Sequence, residues 1–102
     1  MTVTKTHVNR FTRKLYRFLD EGHEFKFRKM KYLRGHVYTH NFPTEVHLDF
    51  RENIISTLIH EALHYFYPDA SETWVLTMEK RIVNQLTDRQ VRNILRRWAQ
   101  NI

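Results

Sequence analysis

Two hydrophobic periods divide the chain. Val8, Phe11, Leu15, Phe18 and Leu19 recur at helical spacing with Arg10, Arg13, Lys14 and Arg17 on the opposite side, which predicts an amphipathic helix over residues 6–20, stopped by Gly22. Between Glu24 and Phe50 the period shortens to two. Phe25-Lys26-Phe27-Arg28 and Val46-His47-Leu48-Asp49-Phe50 alternate apolar with polar residues, as half-buried strands do. Tyr32-Leu33-Arg34 and His36-Val37-Tyr38 supply further strand material bent at Gly35, and Asn41-Phe42-Pro43-Thr44 is turn-forming. These segments predict a small, mainly antiparallel sheet.

The helical period then returns. The stretch from Asn53 to Tyr67 carries one formal charge, Glu61, in a chain in which 27% of residues are charged, so this helix is expected to be central and covered on most sides. Asp49 followed by Glu52 has capping-box spacing, and Pro68 forces Tyr67 out of helical geometry, which bounds the helix at residues 50–66. Helical angles place Ile55, Leu58, Ile59, Ala62 and Phe66 on one arc and Thr57, His60, Glu61 and His64 on the other. Pro68-Asp69-Ala70-Ser71-Glu72 turns the chain back into a helix over residues 72–86. Thr87-Asp88-Arg89-Gln90 is a further capping box, opening a last helix with Val91, Ile94, Leu95 and Trp98 as its apolar stripe. The expected fold class is α+β: an N-terminal helix, a small sheet, then three helices.

A length of 102 residues suits one domain, residues 1–102, and is too short for two. Hydrophobic residues at 41% and aromatic residues at 14% favour a packed globule over disorder. The N-terminus is polar and no apolar run approaches about 20 residues, so a soluble, cytoplasmic protein is expected. The absence of Cys excludes disulfides and leaves His, Asp and Glu as the strong metal ligands.

On the arc turned away from the apolar core lies His60-Glu61-Ala62-Leu63-His64. Residues four apart share a helix face, so two imidazoles can reach one ion while the intervening glutamate holds a water as general base. The chain's own His and Glu frequencies give an expectation of about 0.03 chance matches to this pattern. A catalytic zinc site takes three protein ligands and leaves a position for water. Glu72, at the start of the returning helix, is the favoured third ligand, although Asp69-Ala70-Ser71-Glu72 is itself a capping-box spacing that would occupy Glu72 at the helix end. Asp69 and Glu79 compete for the role. Asp69 suits an N-cap better, and Glu79, two turns after Glu72, suits either a ligand or a group that orients one.

The segment from Thr57 to Glu72, Thr-Leu-Ile-His-Glu-Ala-Leu-His-Tyr-Phe-Tyr-Pro-Asp-Ala-Ser-Glu, resembles the core of small zincin-like metallopeptidases of phages and prokaryotes. More distantly it is similar to regulatory peptidases of the ImmA/IrrE type and to the SprT group. The resemblance covers about a third of the chain. In gluzincin-type relatives the helix after the motif contributes a glutamate as third ligand, which implies Glu72 here. It also implies an edge strand that pairs with a peptide or protein substrate, and the host cytoplasm as location if the chain is phage-encoded. Tyr67 and Ala70 stand where a metzincin has Gly and a third His, and no His follows His64 as the SprT pattern requires.

The remaining histidines are weaker candidates. His36, His40 and His47 lie in or near the sheet, where one can approach the site as a hydrogen-bond donor; alternation makes His47 solvent-facing, and His7 and His23 are expected at the surface. Tyr65 and Tyr67 are polarising candidates whose default role is packing. The formal net charge of +6 and a pI near 9.9 favour acidic partners, with Arg89, Arg92, Arg96 and Arg97 and the basic side of the first helix as the source. The sequence therefore predicts a zinc metallopeptidase with His60, His64 and Glu72 on Zn²⁺ and Glu61 as general base. The alternative is a basic nucleic-acid-binding or regulatory protein with a structural or vestigial metal site.

Overall fold

The computed structural model describes residues 3–27, 29, 35–39, 44–49 and 53–100. The element order is α1 Lys5–Asp20, β1 Glu24–Phe27, β2 Gly35–Tyr38, β3 Glu45–Leu48, α2 Ile54–Phe66, α3 Glu72–Gln85 and α4 Asp88–Ala99. This is the expected α+β layout, helix first. Arg28, the strand expected at Tyr32-Leu33-Arg34, His40, the turn residues Asn41-Phe42-Pro43, Phe50 and Glu52 lie outside the described residues.

α1 begins where Thr4 and His7 close a capping box: Thr4 Oγ1 accepts from the His7 N–H and His7 Nδ1 accepts from the Thr4 N–H, each at 3.2 Å. Val8, Phe11, Leu15, Phe18 and Leu19 are all buried, as their period requires. The chain leaves through Gly22 at φ +81°, a left-handed conformation that glycine adopts without a Cβ penalty. It then enters β1, where the Glu24 N–H donates to the Thr44 carbonyl at 2.8 Å.

The sheet order is β1-β3-β2, with β3 central. β2 pairs antiparallel to β3 with Val37 opposite Val46, as alternation suggested, whereas β1 joins β3 in parallel with Phe25 opposite Val46. A parallel pair needs a crossover, and here the intervening chain includes β2, which returns to the far edge. Val46 and Leu48 turn their side chains into the core.

α2 is covered as its low charge required: the seven consecutive residues from Thr57 to Leu63 are all buried. Its start differs from expectation. Asn53, not Asp49, is the N-cap and accepts from the Ser56 N–H at 3.1 Å; Asp49 is buried at the end of β3. Its other end is as read, with Tyr67 as C-cap and Pro68 beyond it.

One hydrophobic cluster joins all of these elements. Phe18 sits within it, ring centroids 4.8 Å from Tyr65, 5.9 Å from Phe66 and 6.1 Å from Phe25. Each fully buried Leu, Ile or Phe contributes about 1.5–3 kcal/mol. α4 packs along α1, where the Arg97 guanidinium lies over the Tyr16 ring and pairs with Asp20, and Trp98 covers Phe25 and Phe27 of β1. α2 and α3 pack against each other and each also meets α1, with β2 beside α2. That corner, where α2 ends, α3 begins and β2 passes, holds the histidine motif.

Candidate metal centre

Four residues from two helices form one polar cluster. His60 and His64, one turn apart on α2, bring their Nε2 atoms to 3.2 Å from each other. Pro68 stops α2, the chain turns through Ala70, whose N–H donates to the Tyr67 carbonyl at 3.1 Å, and α3 starts with its first residue facing back. That residue is Glu72. Its carboxylate oxygens lie 2.8 Å from His60 Nε2 and 2.8 Å from His64 Nε2.

Capping does not occupy Glu72. Ser71 is the N-cap of α3 and accepts from the Trp74 N–H at 3.1 Å, so the capping role expected of Asp69 falls to Ser71 instead. A carboxylate in the first turn of α3 is favoured by that helix's dipole, and His64 in the last turn of α2 sits at the negative end of its own helix, where a cation is favoured.

Glu79 enters from two turns along α3. Its Oε2 lies 2.9 Å from His60 Nδ1, on the other edge of the ring from Glu72. Asp69 is exposed in the turn and is not part of the cluster, so of the three competing residues Glu72 alone joins the two Nε2 atoms.

The hydrogen-bond roles decide what the cluster needs. A carboxylate accepts, so His60 Nδ1 carries the proton towards Glu79, and in the neutral ring Nε2 then presents a lone pair. That lone pair meets a second carboxylate and a second imidazole. Acceptors at 2.8–3.2 Å repel unless a proton or a cation stands among them. Two imidazole nitrogens and a carboxylate are also the donor set of a three-ligand zinc site, whose tetrahedral edge at usual bond lengths is about 3.3 Å. The residues present fit such an ion.

Beside the cluster opens a cavity of about 480 Å³, within the range of roughly 300–1,000 Å³ usual for ligand pockets. His60, Glu61, His64 and Glu72 form one wall, Gly35, His36 and Val37 of β2 the other, and Leu76 lies at its edge. Glu61 is 4% exposed. β2 approaches α2 so closely there that a Cβ on Gly35 would stand 3.1 Å from Glu61 Cγ, 3.0 Å from Thr57 Cγ2 and 2.9 Å from the His47 carbonyl.

Of the other candidates, His36 lines the cavity. His47 does not, and it is buried rather than solvent-facing, because the Tyr38 ring from the neighbouring strand lies 4.6 Å from its own. His23 is also buried, stacked 4.3 Å from Phe18, while His7 is exposed as expected. Tyr65 packs on Phe18 and His23, and Tyr67 on Trp74, both away from the cavity. Gly35 and Leu76 were not singled out for the site by the sequence. For Gly35 the signal was a glycine within strand pattern, which marks close backbone approach; Leu76 gave none.

No protein-family model, no curated protein and no solved structure matches this chain.

Proposed function

We propose that the protein is a zinc-dependent peptidase in which His60, His64 and Glu72 hold Zn²⁺ and Glu61 is the general base. The observation that carries this is the convergence of both Nε2 atoms and the Glu72 carboxylate on one point, with the far nitrogen of His60 held by Glu79. Bound there, Zn²⁺ would supply a Lewis acid that acidifies water and polarises a carbonyl. Glu61, on the cavity wall between the two histidines in sequence, takes the proton of the attacking water and passes it to the leaving amine. Glu79 keeps the His60 tautomer that presents Nε2.

β2 supports a peptide as the substrate. It is an edge strand among the described residues, and His36 and Val37 line the cavity, so an extended chain laid beside it would gain main-chain hydrogen bonds while crossing Glu61. The test is Glu61→Gln in zinc-loaded protein, assayed on a mixture of unstructured peptides. Cleavage falls by at least about 10²-fold, with zinc content and unfolding temperature retained. Equal cleavage by the variant contradicts the assignment.

A second class of function has one observation in its favour. α1 and α4 pack together and carry exposed Arg13 and Arg17, and exposed Arg92 and Arg96, on the surface of that helix pair. A nucleic-acid-binding protein would use that surface, and Arg92→Glu with Arg96→Glu would then abolish polyanion binding and leave peptide hydrolysis unchanged.

A further inference from the structure

α1, the end of α2 and α3 enclose a second cavity of about 190 Å³, separate from the one beside Glu61 and sharing no lining residue with it. Its inner wall is apolar, formed by Leu63 and Ile82, both almost fully buried, with Trp74 and Met78 completing it. The Tyr67 ring meets Trp74 edge to face at 5.3 Å and closes one side.

The mouth is cationic. His7, Arg10 and Lys14 lie at helical spacing on one face of α1, and all three line the cavity. Arg10 and Lys14 carry the charge and have donors only. His7 Nδ1 accepts from the Thr4 N–H in the capping box, so the proton of the neutral ring is on Nε2. Lys14 Nζ is held 5.4 Å from the Tyr67 ring centroid and donates to its hydroxyl at 3.5 Å. No Asp or Glu lines this cavity among the described residues.

We propose that this cavity binds a small organic carboxylate with an aromatic or short branched aliphatic body. The volume fits one ring, since an engineered apolar cavity of about 150 Å³ takes up benzene. The apolar wall takes the ring, and the Arg10 guanidinium and Lys14 ammonium take the carboxylate, where charge-assisted bonds are the stronger kind. A neutral ligand would leave the charged mouth unmatched, and a cationic one would be repelled. This site is independent of the peptidase assignment.

The test uses 4-ethylbenzoate against the uncharged 4-ethylbenzamide, followed by Trp74 fluorescence and by calorimetry. Because a carboxylate can also ligate zinc, the titrations are made on metal-free protein and repeated on His64→Ala. Saturable binding of the carboxylate with Kd of about 1 mM or tighter is expected, unchanged in His64→Ala. The amide binds at least about tenfold more weakly, and Arg10→Gln with Lys14→Gln loses about tenfold for the carboxylate. Both substituted positions are partly or fully exposed, so the fold persists, checked by circular dichroism. Equal binding of amide and carboxylate, indifference to the Arg10 and Lys14 substitutions, or no saturation overturns the proposal.

Discussion

Glu79 Oε2 lies 2.9 Å from His60 Nδ1, and both residues are buried, so the nitrogen that faces Glu72 is fixed by a carboxylate from the middle of another helix. An imidazole without such a partner is free to present either nitrogen. With it, the ring is held in one tautomer and one orientation.

Glu79→Gln keeps an acceptor for Nδ1–H but removes its charge, and Glu79→Ala removes both. Zinc affinity is expected to fall about 10-fold in the first and about 100-fold in the second, measured by competition with a chromophoric chelator. Equal affinities in wild type and Glu79→Ala would mean that Glu79 does not orient the ring.

Ser71 sets where α3 begins and hence where Glu72 points. Ser71→Ala leaves the Trp74 N–H without its cap and should cost about 1 kcal/mol of stability, read from chemical denaturation. Zinc affinity should weaken in the same variant, because the first turn frays with Glu72 in it. Ser71→Asp, which also caps, restores both.

Gly35 is a steric requirement. A methyl there would meet the backbone carbonyl of His47 at 2.9 Å, an atom that cannot swing aside as a side chain does. Gly35→Ala is therefore expected to destabilise by about 1–3 kcal/mol and to lower cleavage by displacing Glu61. Gly22→Ala is destabilising for a different reason: nothing stands near its Cβ, but φ is +81°. It should cost about 1 kcal/mol and leave cleavage per folded molecule unchanged.

Much of this was legible in the sequence where local chemistry decided it. The apolar stripe of α1, the Pro68 stop, the Thr87 capping box and the His60-Glu61-Ala62-Leu63-His64 spacing depend on neighbours in the chain, and each stands where its pattern put it. Glu72 was reachable because a short turn between two helices must return the chain upon itself. What local pattern cannot contain is partner choice. Alternation says which side of β3 carries His47 but not that Tyr38 of β2 covers that side. His23 follows a glycine at a helix end, a surface signature, and is buried because Phe18 stacks on its ring and Tyr65 meets that ring edge to face. The parallel pairing of β1 with β3 joins segments some twenty residues apart and leaves no trace in either. Asp49 and Asn53 are equally good caps by composition, and the choice fell to Asn53 because Asp49 is buried at the end of β3.

The central claim is that His60, His64 and Glu72 hold one ion, and metal stoichiometry tests it most directly. Protein purified without an affinity tag is stripped, given equimolar zinc, dialysed and measured by elemental analysis, alongside His60→Ala, His64→Ala and Glu72→Ala. Near-equimolar zinc in wild type, lost with either histidine and weakened with Glu72, is the expected result, together with a higher unfolding temperature when free zinc is held at about 100 times Kd, where binding adds about 2.7 kcal/mol. Wild type that stays metal-free while remaining folded would show the cluster to be held by a proton instead, and would contradict the account.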